Sequence, residues 1–221
     1  MLDFRENVDE LIAETFKKCN ITAFPFDCEK VLNTYGYTCK AYSSLNEKKK
    51  KICFNISNDA CIIDRTIYFN DTALKSRIRF TLMHELGHIL LNHTSSSEKE
   101  EDEADYFASC ILAPRIMIHN LPLLNHDYKI TAESIHKYFD ISIAASNRAL
   151  NDYHRWLKNM QETTGEPSDI EISIKNIFIK SEKNKRKKRT NQKKFAIRYL
   201  LDPSNDEYFI QQMERRRTEP Y

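Results

Sequence analysis

Apolar positions in the first forty residues fall into two helical patches and one extended one. Between Val8 and Lys18 they recur at 8, 11, 12 and 16, the spacing of a single helix face. Pro25 opens a second, short helix over 27–34, which Gly36 stops, and residues 37–42 read as extended. The polar run 47–51 reads as a loop. The β-rich stretches 51–56, 60–63 and 66–70 then predict a meander, with Asp64-Arg65 as a hairpin turn. Residues 73–93 contain no proline and predict a long helix, with Asn70, Asp71 and Thr72 as candidates for its cap. Thr94 to Ser97 break it, and Ser97 with Glu100 has the spacing of a capping box for a next helix ending at Leu112, ahead of Pro114. Helices over 131–138 and 142–158 flank Phe139-Asp140-Ile141-Ser142. Beyond a linker from Thr163 to Ser168, Ile170, Ile172 and Ile174 alternate as a strand, and a second apolar run covers 195–201. This order of elements predicts an α+β fold: a small sheet beside a long helix, a helical second half, and a short β-containing appendage.

Composition narrows the class. Of 221 residues, 41% are hydrophobic and 30% charged, which is a globular balance and excludes a disordered chain. A net charge of +2 singles out no class of partner. No apolar run reaches the roughly 18 residues that suggest a membrane span. The first ten residues mix Asp, Glu and Arg, with no apolar stretch of a secretory signal. Six cysteines, at 19, 28, 39, 53, 61 and 110, include no CxxC pair, so they read as reduced thiols in a cytoplasmic protein.

The chemistry concentrates in His84-Glu85-Leu86-Gly87-His88. Histidines four apart on a helix lie about 40° apart around its axis and one turn along it, so both rings can reach one metal ion. A zinc ion there would polarise a scissile carbonyl and bring the pKa of a water to about 7, with Glu85 taking the proton. Gly87 adds to the case. Mid-helix glycine costs about 1 kcal/mol relative to alanine, and the chain has three glycines in all, so this one points to a backbone passing close by.

A third ligand must follow. The metzincin pattern needs Gly and His at 91 and 94, which are Leu91 and Thr94. His93 lies five residues past His88, rotated off the ligand face of a straight helix, and reads as an exposed residue at the helix end. The acidic cluster 98–105 offers better donors. Glu101 and Asp105 are four apart beside the apolar stripe of Ala104, Ala108, Ile111 and Leu112. An antiparallel hairpin turning at 94–97 would bring Glu101 level with His88 and Asp105 near His84. Glu101 is then the ligand, and Asp105 the acceptor of a histidine's second N–H. Glu103 is the alternative ligand.

Arg79-Phe80-Thr81-Leu82-Met83-His84-Glu85-Leu86-Gly87-His88 resembles the core motif of the ImmA/IrrE metallopeptidases. Glu101-Asp102-Glu103-Ala104-Asp105-Tyr106-Phe107-Ala108, running into Leu112-Ala113-Pro114, resembles that family's second motif, with Ala113 where methionine is usual. Phe139-Asp140-Ile141-Ser142, with Arg148 after it, resembles the helix-turn-helix-like segment that follows. The likeness spans roughly residues 5–158. It implies a zincin-like domain over 1–127, a helix-turn-helix-like segment over 128–160, and an unmatched basic appendage over 161–221. It also implies cytoplasmic proteolysis of a helix-turn-helix transcriptional repressor, releasing mobile-element or stress genes. A substrate segment is expected to add as a strand near Thr66 to Asn70. The competing reading is a regulatory protein that the metal merely braces and that binds DNA or a protein without cutting it. The intact Glu85 argues against that, since a purely structural site has no use for it.

Residues 183–194 hold eight basic side chains and no acid, among them Lys185, Arg186, Lys187, Lys188 and Arg189. They suit either a solvated loop or a contact with nucleic acid. In 142–158, Ile143, Ala149, Leu150, Trp156 and Leu157 favour a packing helix over a DNA-reading one.

Overall fold

The structure is a computed structural model that describes residues 4–95, 97–124, 129–163 and 165–181. Helix α1 (Phe4–Lys18) turns Val8, Ile12 and Phe16 inward, and α2 (Cys28–Thr34) starts where the Asp27 carboxylate accepts from the Lys30 amide at 3.2 Å. Gly36, with φ +82°, reverses the chain after α2, and β1 (Thr38–Ala41) follows.

The next segment departs from the sequence reading. Residues 47–56 form one helix, α3 (Glu47–Ile56), not a loop and a strand. Asn46 caps it by accepting from Lys49 N at 3.0 Å, and the unbranched lysines after it are good helix formers. The β-prone Ile52, Phe54 and Ile56 are left on the exposed side, while Cys53 is buried. A capped start outweighs six residues of β-propensity.

Strands β2 (Ala60–Ile63) and β3 (Thr66–Phe69) form the expected hairpin, with Asp64 at φ +55°. The sheet order is β1-β3-β2. Strand β1 runs parallel to β3, and β2 antiparallel to it. The arrangement is therefore a hairpin plus a parallel strand rather than a meander. It also moves the accessible edge, because β3 is paired on both sides and cannot receive a substrate strand at 66–70. Among the described residues, the outer edge of β2 carries no strand.

Helix α4 (Lys75–Leu90) begins without a side-chain cap. Its expected cap residues are engaged elsewhere: Asn70 Oδ1 accepts from the Thr72 amide at 3.1 Å, and Asp71 accepts from the Ser43 amide at 3.1 Å and the Ser43 hydroxyl. Helix α5 (Glu98–Leu112) returns antiparallel after a cap at Ser97. The box is half formed, since the Glu100 carboxylate accepts from the Thr94 and Ser95 amides and not from Ser97. Gly87 lies where α4 and α5 cross. A Cβ there would stand 3.1 Å from Ala104 Cα and 3.2 Å from its carbonyl oxygen.

Short helices α6 (Arg115–His119) and α7 (Leu121–Leu124) lead to α8 (Ala132–Phe139) and α9 (Ile143–Glu162). Asp140, at φ +55°, turns the chain between α8 and α9, and Ser142 caps α9. Ile135, Phe139 and Tyr153 are buried, as a packing pair requires. Arg79 on α4 reaches this turn, donating to Phe26 O at 2.5 Å and Phe139 O at 3.5 Å.

Residues 169–178 are helical, not the expected strand. Ile174 and Phe178 are 2% and 1% exposed, so the buried spacing is four. The alternation at 170, 172 and 174 was the first turn of a 3.6-residue pattern that becomes visible only when 177 and 178 are included. Phe178 packs against Phe16 and Phe24, at ring distances of 5.2 and 4.6 Å. The run 195–201 and the basic segment 183–194, Lys185 to Arg189 included, lie outside the described residues. No helix among the described residues is long and apolar enough to cross a membrane.

Candidate metal centre

Helix α4 carries His84 and His88 one turn apart, and α5 brings Glu101 across from them. His84 Nε2 and His88 Nε2 are 3.0 Å apart. Glu101 places one carboxylate oxygen 3.4 Å from the first and the other 3.6 Å from the second. The three donor atoms lie within 4.8 Å of one another, a group that can hold a metal ion. Two nitrogens bound at 2.0–2.1 Å in tetrahedral geometry stand roughly 3.3 Å apart, close to the spacing found. Two neutral nitrogens and one carboxylate oxygen suit a borderline divalent ion such as zinc.

The rings are held from behind. His84 Nδ1 is 2.7 Å from the Asp105 carboxylate, so the α4–α5 hairpin puts Glu101 and Asp105 on the two nitrogens of one ring. Glu103 does not face the ligand group. Its carboxylate lies 3.0 Å from His93 Nε2, and His93 Nδ1 lies 2.9 Å from His88 Nδ1.

His93 is the main correction to the sequence reading. Its side chain is 5% exposed, not a solvated helix end. The straight-helix projection fails because α4 stops at Leu90. Asn92 takes φ +55°, its amide donates to Ile89 O at 3.3 Å, and the His93 amide donates to His88 O at 3.0 Å. This is a Schellman turn, which brings the second residue past the cap back against the third-last helical residue. Those two residues are His93 and His88, and their ring centroids are 5.0 Å apart. An asparagine four residues after a ligand histidine was the available signal.

Glu85 lines the same cavity of about 710 Å³ as His84, His88 and Glu101. Burial pushes its carboxyl above the usual carboxylate range; His84 opposes the shift and Glu101 adds to it. Burial likewise lowers the His88 pKa, favouring the uncharged ring that a metal needs. Ala60, Cys61 and Ile62 of β2 line the same cavity.

Comparison with known proteins identifies the family of the segment that carries this group. The IrrE N-terminal-like domain, a peptidase family, matches residues 41–151, half of the chain, including both histidines, Glu85 and Glu101. No curated protein matches the chain. Among solved structures, a Mycobacterium tuberculosis transcriptional regulator is similar at 11% identity and a TM-score of 0.44, over 64% of this chain. The chain spans 45% of that protein's length.

Proposed function

The chain belongs to the IrrE N-terminal-like domain family of peptidases, and we propose that it is a zinc-dependent endopeptidase of the cytoplasm that cuts a protein segment laid along β2. The observation that carries this reading is the convergence of His84 Nε2, His88 Nε2 and the Glu101 carboxylate, with the buried Glu85 in the same cavity. When bound, zinc supplies Lewis-acid polarisation to a peptide carbonyl and to water.

The protein's own groups do the rest. His84, His88 and Glu101 hold the ion, and Asp105 fixes the orientation of the His84 ring. The Glu85 carboxylate takes a proton from the attacking water and gives it to the leaving amide nitrogen, so that one water is consumed per bond broken. The outer edge of β2 offers backbone hydrogen bonds to an extended substrate, which favours an unfolded or looped segment over a helix. A helix-turn-helix transcriptional repressor as substrate rests on the resemblance to the ImmA/IrrE peptidases.

The test is Glu85→Gln. The variant should keep one equivalent of zinc and the fold, and lose proteolysis by about two or more orders of magnitude. It should also retain the uncut substrate on co-purification, which identifies it. Wild-type cleavage by this variant would remove Glu85 from the mechanism and favour the metal-braced binding protein.

A further inference from the structure

We propose that His93 and Glu103 are positioning residues for the metal, holding the His88 ring in the tautomer that leaves its Nε2 free as a ligand. The inference rests on the reading of His84, His88 and Glu101 as the ligand set, and extends it to a pair with no other assigned role.

A histidine that gives its Nε2 lone pair to a metal carries its proton on Nδ1. For His88 the atom facing that proton is Nδ1 of His93, at 2.9 Å. His93 can accept there only if its own proton sits on Nε2. That nitrogen lies 3.0 Å from the Glu103 carboxylate, which when ionised accepts and never donates. The direction of every bond in the series is therefore set from the Glu103 end. Without Glu103, a proton on His93 Nδ1 costs nothing locally. It would then face the Nδ1 proton of His88 and favour the ring state that cannot ligate.

Burial makes the arrangement consequential. The His93 side chain is 5% exposed and Glu103 19%, so water cannot readily stand in for a lost partner. The other ligand histidine differs. His84 is held directly by Asp105, whose side chain is 59% exposed, and solvent can replace that carboxylate. Loss of His93 should thus weaken zinc binding more than loss of Asp105. The Schellman turn supplies the mechanical part, since its backbone bond from His93 to His88 O at 3.0 Å seats the two rings together.

The experiment measures zinc affinity of the full chain by competition with a chromophoric chelator, and melting of the metal-free protein. His93→Phe keeps a ring and removes the acceptor, and should lower zinc affinity about 10- to 100-fold with little change in metal-free melting. His93→Asn, whose Oδ1 stands near the place of Nδ1, should recover most of the loss. Glu103→Leu should lose affinity to a similar degree, and the double variant His93→Phe with Glu103→Leu should lose no more than His93→Phe alone. Ring-nitrogen NMR of the zinc-loaded protein should find the His93 proton on Nε2. Zinc affinity within twofold of wild type in His93→Phe, or an Asn variant no better than Phe, overturns the proposal. If His93→Phe does not fold, Glu103→Leu decides alone. A Glu101→Ala variant that keeps full zinc affinity overturns the ligand set instead, a result separable from failure of the His93 series.

Discussion

Gly87→Ala probes the crossing of α4 and α5 without touching a proposed ligand. On an isolated helix the change would add about 1 kcal/mol of stability. Here the new methyl would stand 3.1 Å from Ala104 Cα, 3.2 Å from Ala104 O and 3.2 Å from Phe107 Cδ1, against about 3.5–4.0 Å for a relaxed carbon contact. The neighbours must yield by a few tenths of an ångström. Ala104 and Phe107 are fully buried, and the α5 backbone has α1 beyond it. Overpacking of this kind costs about 1–3 kcal/mol, so the net expectation is a loss of about 0–2 kcal/mol, or a fall of up to about 8 °C in Tm for a chain of this size. The effect on zinc should be larger than the effect on the fold. Helix α5 carries Glu101, Glu103 and Asp105, and a shift at Ala104 lengthens contacts now at 2.7 and 3.0 Å. Thermal melting of the metal-free protein and chelator competition separate the two effects. A Tm raised by about 2–4 °C with unchanged zinc affinity would show that the crossing has room, and refute the reasoning.

Three further outcomes follow from the site. Glu101→Ala should weaken zinc binding severely, because two protein ligands remain where a catalytic site keeps three; metal content after dialysis checks it. Asp105→Ala should be milder, toward the lower end of a 10- to 100-fold loss in affinity, measured by the same chelator competition. Hydrogen bonds from Arg77 hold the Asp59 carboxyl below the usual carboxylate range, so this partly exposed pair adds stability above about pH 4, lost as pH falls through the lowered pKa. The contribution is at most about 1 kcal/mol for a surface pair, and melting of wild type and Asp59→Asn should differ at pH 7 and converge as pH falls through the lowered Asp59 pKa.

The hairpin that carries the site was legible because every level of the sequence agrees on it. A helix without proline, a break, a Ser97 cap and an i,i+4 pair beside an apolar stripe all specify two antiparallel helices. Within that frame helical rise alone puts Asp105 near His84, and the 2.7 Å contact follows. The sheet was less legible. Its strands were visible, but its order was not, because pairing β1 with β3 joins residues 28 apart, Thr38 with Thr66, and local pattern says nothing about that. The error mattered, since it placed the substrate edge on the central strand. Residues 47–56 and 169–178 were misread for one shared reason: apolar residues two apart fit a strand and a partly exposed helix alike until the cap or the next turn is counted.

His93 shows where helical projection stops working. Projecting His93 at 100° per residue puts it off the face of His84 and His88, and that angle is meaningless beyond Leu90, where the helix ends. Past a C-cap the relevant geometry is that of the turn. An asparagine in the left-handed region at 92 sends the chain back over the last helical turn, so the residue after it must meet residue 88 again. Once His93 lies there, the acidic cluster on α5 divides by position rather than by charge: Glu101 faces the Nε2 atoms, Asp105 takes the Nδ1 of His84, and Glu103 takes the far nitrogen of His93. Sequence reasoning had to choose between Glu101 and Glu103 as alternative ligands. The turn at Asn92 gives each its own nitrogen, because it supplies a third imidazole for the second carboxylate to hold.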